Sequence, residues 1–202
     1  MGDDNVTGSV VAPGVWPVMV TPFTDGGEID WVGLDYMVEW YIASGVAGLF
    51  TVCLSSEMYE LSGEEKLALA EGVVQRASGR IGVVASGTFE ESVEAKAEFV
   101  MQMAETGVNA VVVLVCQMAG QDEEDSTWKM NVENLIKLTP GVPLGLYECP
   151  SPYHRVISPD LMSWLAKTGR FHYHKDTCRR LDWIEEKIAV TRGTPLRFLN
   201  AQ

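Results

Sequence analysis

The stretch VWPVMVTPFTDGG, residues 15–27, joins an apolar run of strand length to a turn rich in Gly and Asp. In an open, doubly wound α/β sheet, the turn after the first strand usually carries a glycine-rich phosphate-binding pattern, GxGxxG or GxxxxGK. TPFTDGG contains neither. If the rest of the chain repeats a strand–helix unit, a closed barrel is therefore favoured over an open sheet.

The repeat is present. Leu34, Met37, Val38, Tyr41 and Ile42 recur at the 3.6-residue period of a helix over 31–44, and Gly45 stops it. Further helices are expected at 62–77, 92–106, 128–138, 158–167 and 181–189. The second opens on a capping box from Ser62 to Glu65, and the fifth on the N-cap and first-turn pair Ser158-Pro159. Between them lie apolar runs at 48–53, 81–85, 110–115, 144–147, 170–176 and 196–199. Seven strands alternating strictly with six helices imply an α/β fold with a parallel sheet and right-handed crossovers, a (β/α)8 TIM barrel. A whole barrel takes ~250 residues, and this chain has 202. The expectation is a barrel truncated after the seventh strand, either a fragment or a chain completed by a partner. Residues 1–202 read as a single domain, with 1–14 a flexible N-terminal extension.

At 47% hydrophobic and 21% charged, the chain can bury a sizeable core. A net charge of −13 argues against nucleic acid and anionic membrane as partners, since both need clustered Lys and Arg. No membrane span is visible in the apolar runs, and no cationic segment precedes a signal-like stretch, so the expected location is cytoplasmic. The four cysteines lack a CxxC pair and read as reduced thiols. Three of them fall just after expected strands, which places those loops on one face.

Chemistry concentrates at RFHYHKD, residues 170–176. On a buried strand, Lys175 would stand at the carboxyl end of the sheet, where desolvation favours the neutral, nucleophilic amine. Such an amine attacks a ketone or aldehyde to form a Schiff base, an electron sink for making or breaking a C–C bond. Tyr147, 28 positions earlier on the adjacent strand, can shuttle protons to it. Ser55 and Ser56 offer donors to a carboxylate, and Ser86 and Thr88 open on the same face. His172 and His174 alternate with Lys175 and should point outward to the helices. No carboxylate or cysteine is spaced to join them in a metal site. Asp122 to Asp125 read as solvated surface. Trp31, Trp40, Trp128, Trp164 and Trp183 fall at helical positions and read as packing.

Val20-Thr21-Pro22-Phe23, Ser55-Ser56-Glu57, Tyr147-Glu148-Cys149-Pro150 and His174-Lys175-Asp176 together resemble the dihydrodipicolinate synthase and N-acetylneuraminate lyase family of Schiff-base aldolases. The resemblance runs from about Val15 to the end. It implies a (β/α)8 barrel acting on a small-molecule 2-oxo acid such as pyruvate. Lys175 would be the imine lysine and Tyr147 the proton-transfer residue, with no cofactor beyond the imine and no metal. Ser55, Ser56 and Glu57 fall in its carboxylate-binding loop, and dimers or tetramers are common. The chain departs from the pattern at Leu54, where a relay hydroxyl is usual, and at Cys116-Gln117-Met118, where a tyrosine is usual. Only Arg155 lies near the place of the arginine that binds the second substrate. The imine step is therefore expected to survive and the synthase specificity to be lost. The alternative is a non-catalytic barrel that binds a small carbonyl or sugar acid.

Overall fold

The computed structural model describes residues 8–201, so residues 1–7 of the expected extension lie outside it. Six strands form one parallel sheet in sequential order: β1 (Gly48–Thr51), β2 (Gly82–Ser86), β3 (Ala110–Leu114), β4 (Leu144–Tyr147), β5 (Phe171–Asp176) and β6 (Arg197–Asn200). The helices are α1 (Trp31–Ala43), α2 (Gly63–Ala77), α3 (Val93–Glu105), α4 (Asp125–Leu138), α5 (Pro159–Lys167) and α6 (Leu181–Thr191). The helix starts read from local chemistry hold: the Ser62 hydroxyl accepts from Glu65 N while the Glu65 carboxylate accepts from Ser62 N, and Ser158 caps α5.

The sheet is curled. Phe50 on β1 lies 5.5 Å from the ring of Tyr147 on β4 and 5.7 Å from that of Tyr173 on β5. In a flat sheet these strands would stand roughly 14 and 19 Å from β1. Register then assigns the inner face: Phe50 pairs with Val84, Leu114 with Tyr147, and Tyr147 with Lys175. Paired residues of a parallel ladder share a face, so Ser86, Val112, Gly145, Tyr147, Tyr173 and Lys175 all point inward.

Residues 15–20, expected as a full strand, are reduced to one bridge, Val18 to Phe50. Pro17 has no N–H to donate, and the contact is carried by Ala47 N to Val15 O, Phe50 N to Pro17 O and Met19 N to Phe50 O, all 2.9 Å. No described strand pairs with the other flank, where the Tyr41 hydroxyl donates to Val18 O at 3.3 Å and Val15 and Val20 are exposed.

Residues 8–14 are held in place and do not form a loose extension. Val11 is buried, Val10 N donates to His172 Nδ1 at 3.3 Å, and the Trp16 indole donates to Ala12 O at 2.9 Å. That indole fills the interior at the amino ends of the strands. A Cβ on Gly48 would come within 2.3 Å of its ring, and one on Gly82 within 2.5 Å. The two glycines therefore make room for one tryptophan, which also packs edge-on against Tyr173 at 5.8 Å. The other tryptophans divide: Trp128 is fully buried, while Trp40 is 63% exposed. Leu34 and Val38 are the residues α1 buries, which leaves Val32, Tyr36 and Trp40 on the opposite stripe. No described helix is long and apolar enough to cross a membrane.

Trp16→Ala should lower unfolding free energy by about 3–5 kcal/mol in urea titrations. Gly48→Ala should cost about 1–3 kcal/mol by overpacking. Most of that second cost should disappear in the Trp16→Ala background, and a double-mutant cycle with no coupling would refute the contact.

Candidate active site

Lys175 and Tyr147 sit opposite one another at the carboxyl ends of β5 and β4, joined in register and by Glu148 N donating to Lys175 O at 3.2 Å. The Lys175 ammonium position lies 4.3 Å from the centre of the Tyr147 ring and 5.6 Å from that of Phe50. Burial against these rings lowers the amine's pKa from its ordinary 10.5, although the Cys53 and Cys149 thiols pull the other way. Tyr147 is pushed up, first by burial and then by the charges of Cys149 and Cys53. A cavity of about 700 Å³ opens along the flank of β6 and is lined by Trp16, Tyr173, Lys175, Arg197 and Leu199. Of the expected site residues Lys175 alone lines it; Tyr147 and the turn after β1 lie outside its lining.

The loop after β1 turns sharply at Val52, a β-branched residue at φ 48°. Left-handed backbone at such a residue costs on the order of 1–3 kcal/mol and is typical of functional loops. It delivers a 3-10 turn at Leu54–Ser56. Ser55 is exposed on this turn and Glu57 is exposed at its end. The Ser56 hydroxyl is already engaged: it donates to Met19 O at 2.7 Å and accepts from Cys53 N at 3.1 Å. Thr21 Oγ1 donates to Ser56 O at 2.8 Å, so this serine ties the loop to residues 19–21. Arg155 is engaged as well. Its guanidinium donates to Asp125 Oδ1 at 2.8 Å, Glu123 O at 2.9 Å and Gly120 O at 3.2 Å. The acidic loop is thus the counterpart of Arg155, and of its charged residues Asp125 is paired. Thr88 Oγ1 accepts from Leu114 N at 2.9 Å, whereas the buried, inward Ser86 hydroxyl has no partner among the described residues.

The four cysteines are free thiols. Two of them matter more than their count suggests. The Cys149 thiol is drawn down to about 6 by its neighbours Cys116, Ser151 N–H, Tyr147 and Tyr59 against the effect of burial, while Cys116 is pushed up; the Cys116 thiol and the Tyr59 phenol both donate to Ser151 O, at 3.3 and 2.7 Å. This thiol lies near the lysine amine. The one-face argument for the cysteines pointed there; the hydrogen-bond partners come from separate loops and carry no sequence spacing.

Behind the wall lies a second cluster. Glu148 and Asp176 directly follow Tyr147 and Lys175, point outward, and are fully buried. Lys187 of α6, also fully buried, donates to Glu148 Oε1 at 2.9 Å and Asp176 Oδ2 at 2.6 Å. His174 points outward as expected, with Nε2 at 3.5 Å from Glu148 Oε1 and 3.6 Å from Asp176 Oδ2. Burial alone would lower His174, but the Asp176 and Glu148 carboxylates raise it. Burial would likewise raise both carboxyls, yet His174 and Lys187 hold Glu148 low and Asp176 well below the usual carboxylate range. The expectation that no carboxylate could join a histidine in a metal set does not stand. One atom from each of Glu148, His174 and Asp176 falls within 4.8 Å of the others, because adjacent strands bring distant positions together. Lys187 Nζ contacts both carboxylates, where a cation would bridge them.

The sequence profile of the Dihydrodipicolinate synthetase family matches residues 12–196. The chain is 32% identical over 136 residues to the 4-hydroxy-tetrahydrodipicolinate synthase of Oceanobacillus iheyensis, a match covering 67% of this chain and 45% of that protein. It is 29% identical over 191 residues to an uncharacterized DapA-like lyase of Rhizobium meliloti, covering 89% and 61%. Among solved structures, a dihydrodipicolinate synthase of Bacillus anthracis superposes with a TM-score of 0.77 at 26% identity, over 88% of this chain and 60% of that one. A monomeric dihydrodipicolinate synthase variant shares the fold at a TM-score of 0.84 and 18% identity, over 100% and 65%. This chain spans about half the length of the curated synthases it matches, and its six strands are part of the barrel seen in these structures. The chain belongs to the dihydrodipicolinate synthetase family.

Proposed function

We propose that this chain carries the imine-forming site of an aldolase-type lyase acting on a pyruvate-like 2-oxo acid. The observation that carries the reading is the Lys175 amine held against the Tyr147 ring, in register, at the carboxyl ends of β5 and β4. The neutral amine adds to the ketone carbon, and the carbinolamine loses water to give an iminium on Lys175. That iminium accepts the electron pair of the C–H or C–C bond beside it, so the reading calls for no separate cofactor. Tyr147 moves the protons of dehydration and of C–C bond cleavage or formation. Ser55 and the turn after β1 are assigned to the substrate carboxylate, with Glu57 at the end of that turn. An Escherichia coli prophage protein of the same family, 22% identical, was solved in complex with pyruvate, which agrees with the substrate class.

The second substrate is a different matter. Leu54, Cys116-Gln117-Met118 and the engaged Arg155 leave no support for the synthase's partner specificity. An oligomer is not demanded by the fold, since one structural relative is described as monomeric. The binding-only alternative has no observation in its favour.

Borohydride added with pyruvate should place a stable adduct on the peptide containing Lys175, and Lys175→Ala should abolish it. An unmodified peptide across several 2-oxo acids would refute the reading. Tyr147→Phe keeps the ring but removes the phenol, and should slow trapping by roughly 10²–10⁴-fold. The attacking form is the unprotonated amine, so trapping should rise with pH through a midpoint below 10.5. A midpoint at or above that value would contradict the desolvated site.

A further inference from the structure

β4 and β5 each present an inward residue followed by an outward carboxylate: Tyr147 then Glu148, Lys175 then Asp176. The inward pair forms the site just described; the outward pair converges on Lys187 at 2.9 and 2.6 Å. Glu148 makes two further bonds, accepting from Ile157 N at 2.9 Å and Thr177 N at 2.7 Å, while its own carbonyl accepts from Thr177 Oγ1 at 2.7 Å. A single carboxylate therefore fixes both ends of the loop after β4 and the first residue after β5. Lys187 anchors all of this to α6, the helix packed behind β5 and β6. We propose that Lys187, Glu148 and Asp176 are positioning residues, which lock the ends of β4 and β5 together so that Tyr147 and Lys175 face each other.

Stability alone explains the cluster poorly. Four buried ionisable groups lose hydration that their attraction only partly restores, and a well-packed apolar set of the same volume is often as stable or more so. What an apolar set cannot supply is direction. The ammonium's two short bonds and the carboxylate's fixed N–H partners define where the strand ends stand, and displacement by about 1 Å can cost a site around a hundredfold in rate. The inference rests on the aldolase reading for its rate consequence, though not for its geometry.

The groups facing Lys175 are Tyr147 on β4, Cys53 after β1 and Cys149 after β4; the positioning cluster lies on the other side of the wall. Its lowered pKa depends on being held against aromatic rings, so loosening the strand ends should admit water and return the midpoint towards 10.5.

The test is the double variant Lys187→Met/Glu148→Gln, which removes one charge of each sign and leaves net charge unchanged. Competitive labelling of Lys175 with fluorodinitrobenzene across pH, read by peptide mass, needs no substrate. The variant should fold, as judged by circular dichroism, yet show a higher Lys175 midpoint and imine trapping slowed between about tenfold and a hundredfold. A folded variant with an unchanged midpoint would overturn the proposal, because a cluster serving stability alone lowers the melting temperature and leaves that midpoint in place. If the double variant does not fold, the near-isosteric Asp176→Asn is put to the same labelling and judged by the same outcomes. Absence of any borohydride adduct in the unmodified protein would defeat the aldolase reading, while the labelling midpoints still decide the positioning role.

Discussion

The period of two along a β-strand governs this protein more than any single bond. It sends Tyr147, Tyr173 and Lys175 into the curled sheet, and Glu148, His174 and Asp176 out against α6. The two faces of the wall need opposite chemistry. Inside, an amine is kept from water among rings and loses proton affinity. Outside, carboxylates are kept from water among cations and retain their charge. A one-residue slip of β5 would exchange these environments, putting a carboxylate in the cavity and an unpaired amine beside the helix. Register is therefore the constraint on which both the fold and the candidate chemistry depend, and the β4–β5 ladder is where it acts.

The interior explains how the curl is sustained with few residues. Trp16 reaches over Gly48 and Gly82 to Tyr173, and Phe50 meets both Tyr147 and Tyr173. Large rings at one level require absent side chains at the next, which is why glycine recurs on inward positions of β1, β2 and β4. The same rings that fill the lower interior continue upward as the surface on which Lys175 rests. Packing and function thus share residues: Phe50 is at once a core side chain and one wall of the amine's environment.

Much of this was legible in the sequence wherever the signal was local. Caps at Ser62 and Ser158 act over three residues, and the bounds of β4 follow from a short apolar run between breakers. The pairing of Tyr147 with Lys175 followed from strand alternation plus order along the chain. The misreadings also have local causes. Pro17 broke a strand that hydropathy alone had drawn as continuous, and Trp40 lies on the outer stripe of α1 although its helical position was read as packing. The engagement of Ser56 and Arg155 was hidden because their partners, Met19 O and the 120–125 loop, are remote in sequence. Lys187 was the most informative omission. Lysine on a helix is read by habit as solvated, yet Ile184, Lys187 and Thr191 recur at spacings of three and four, the period of one buried face. A cation on that face needed an anion, and two carboxylates stood one residue beyond the two candidate catalytic groups.

That coincidence bears on how such a site tolerates change. The thiols, Leu54 and Arg155 all lie on loops after strands, the parts of a fold that accept substitution most readily without moving the strands. The ionic cluster lies on strand ends and a helix, where a change propagates to every loop that Glu148 pins. Removing Lys187 would leave two buried carboxylates facing one histidine, a deficit costing several kcal/mol that no loop adjustment can offset. Loops and strand ends can therefore change independently in a protein built this way, since Leu54 and Arg155 lie on loops while the amine and phenol lie on strands that the ionic cluster joins.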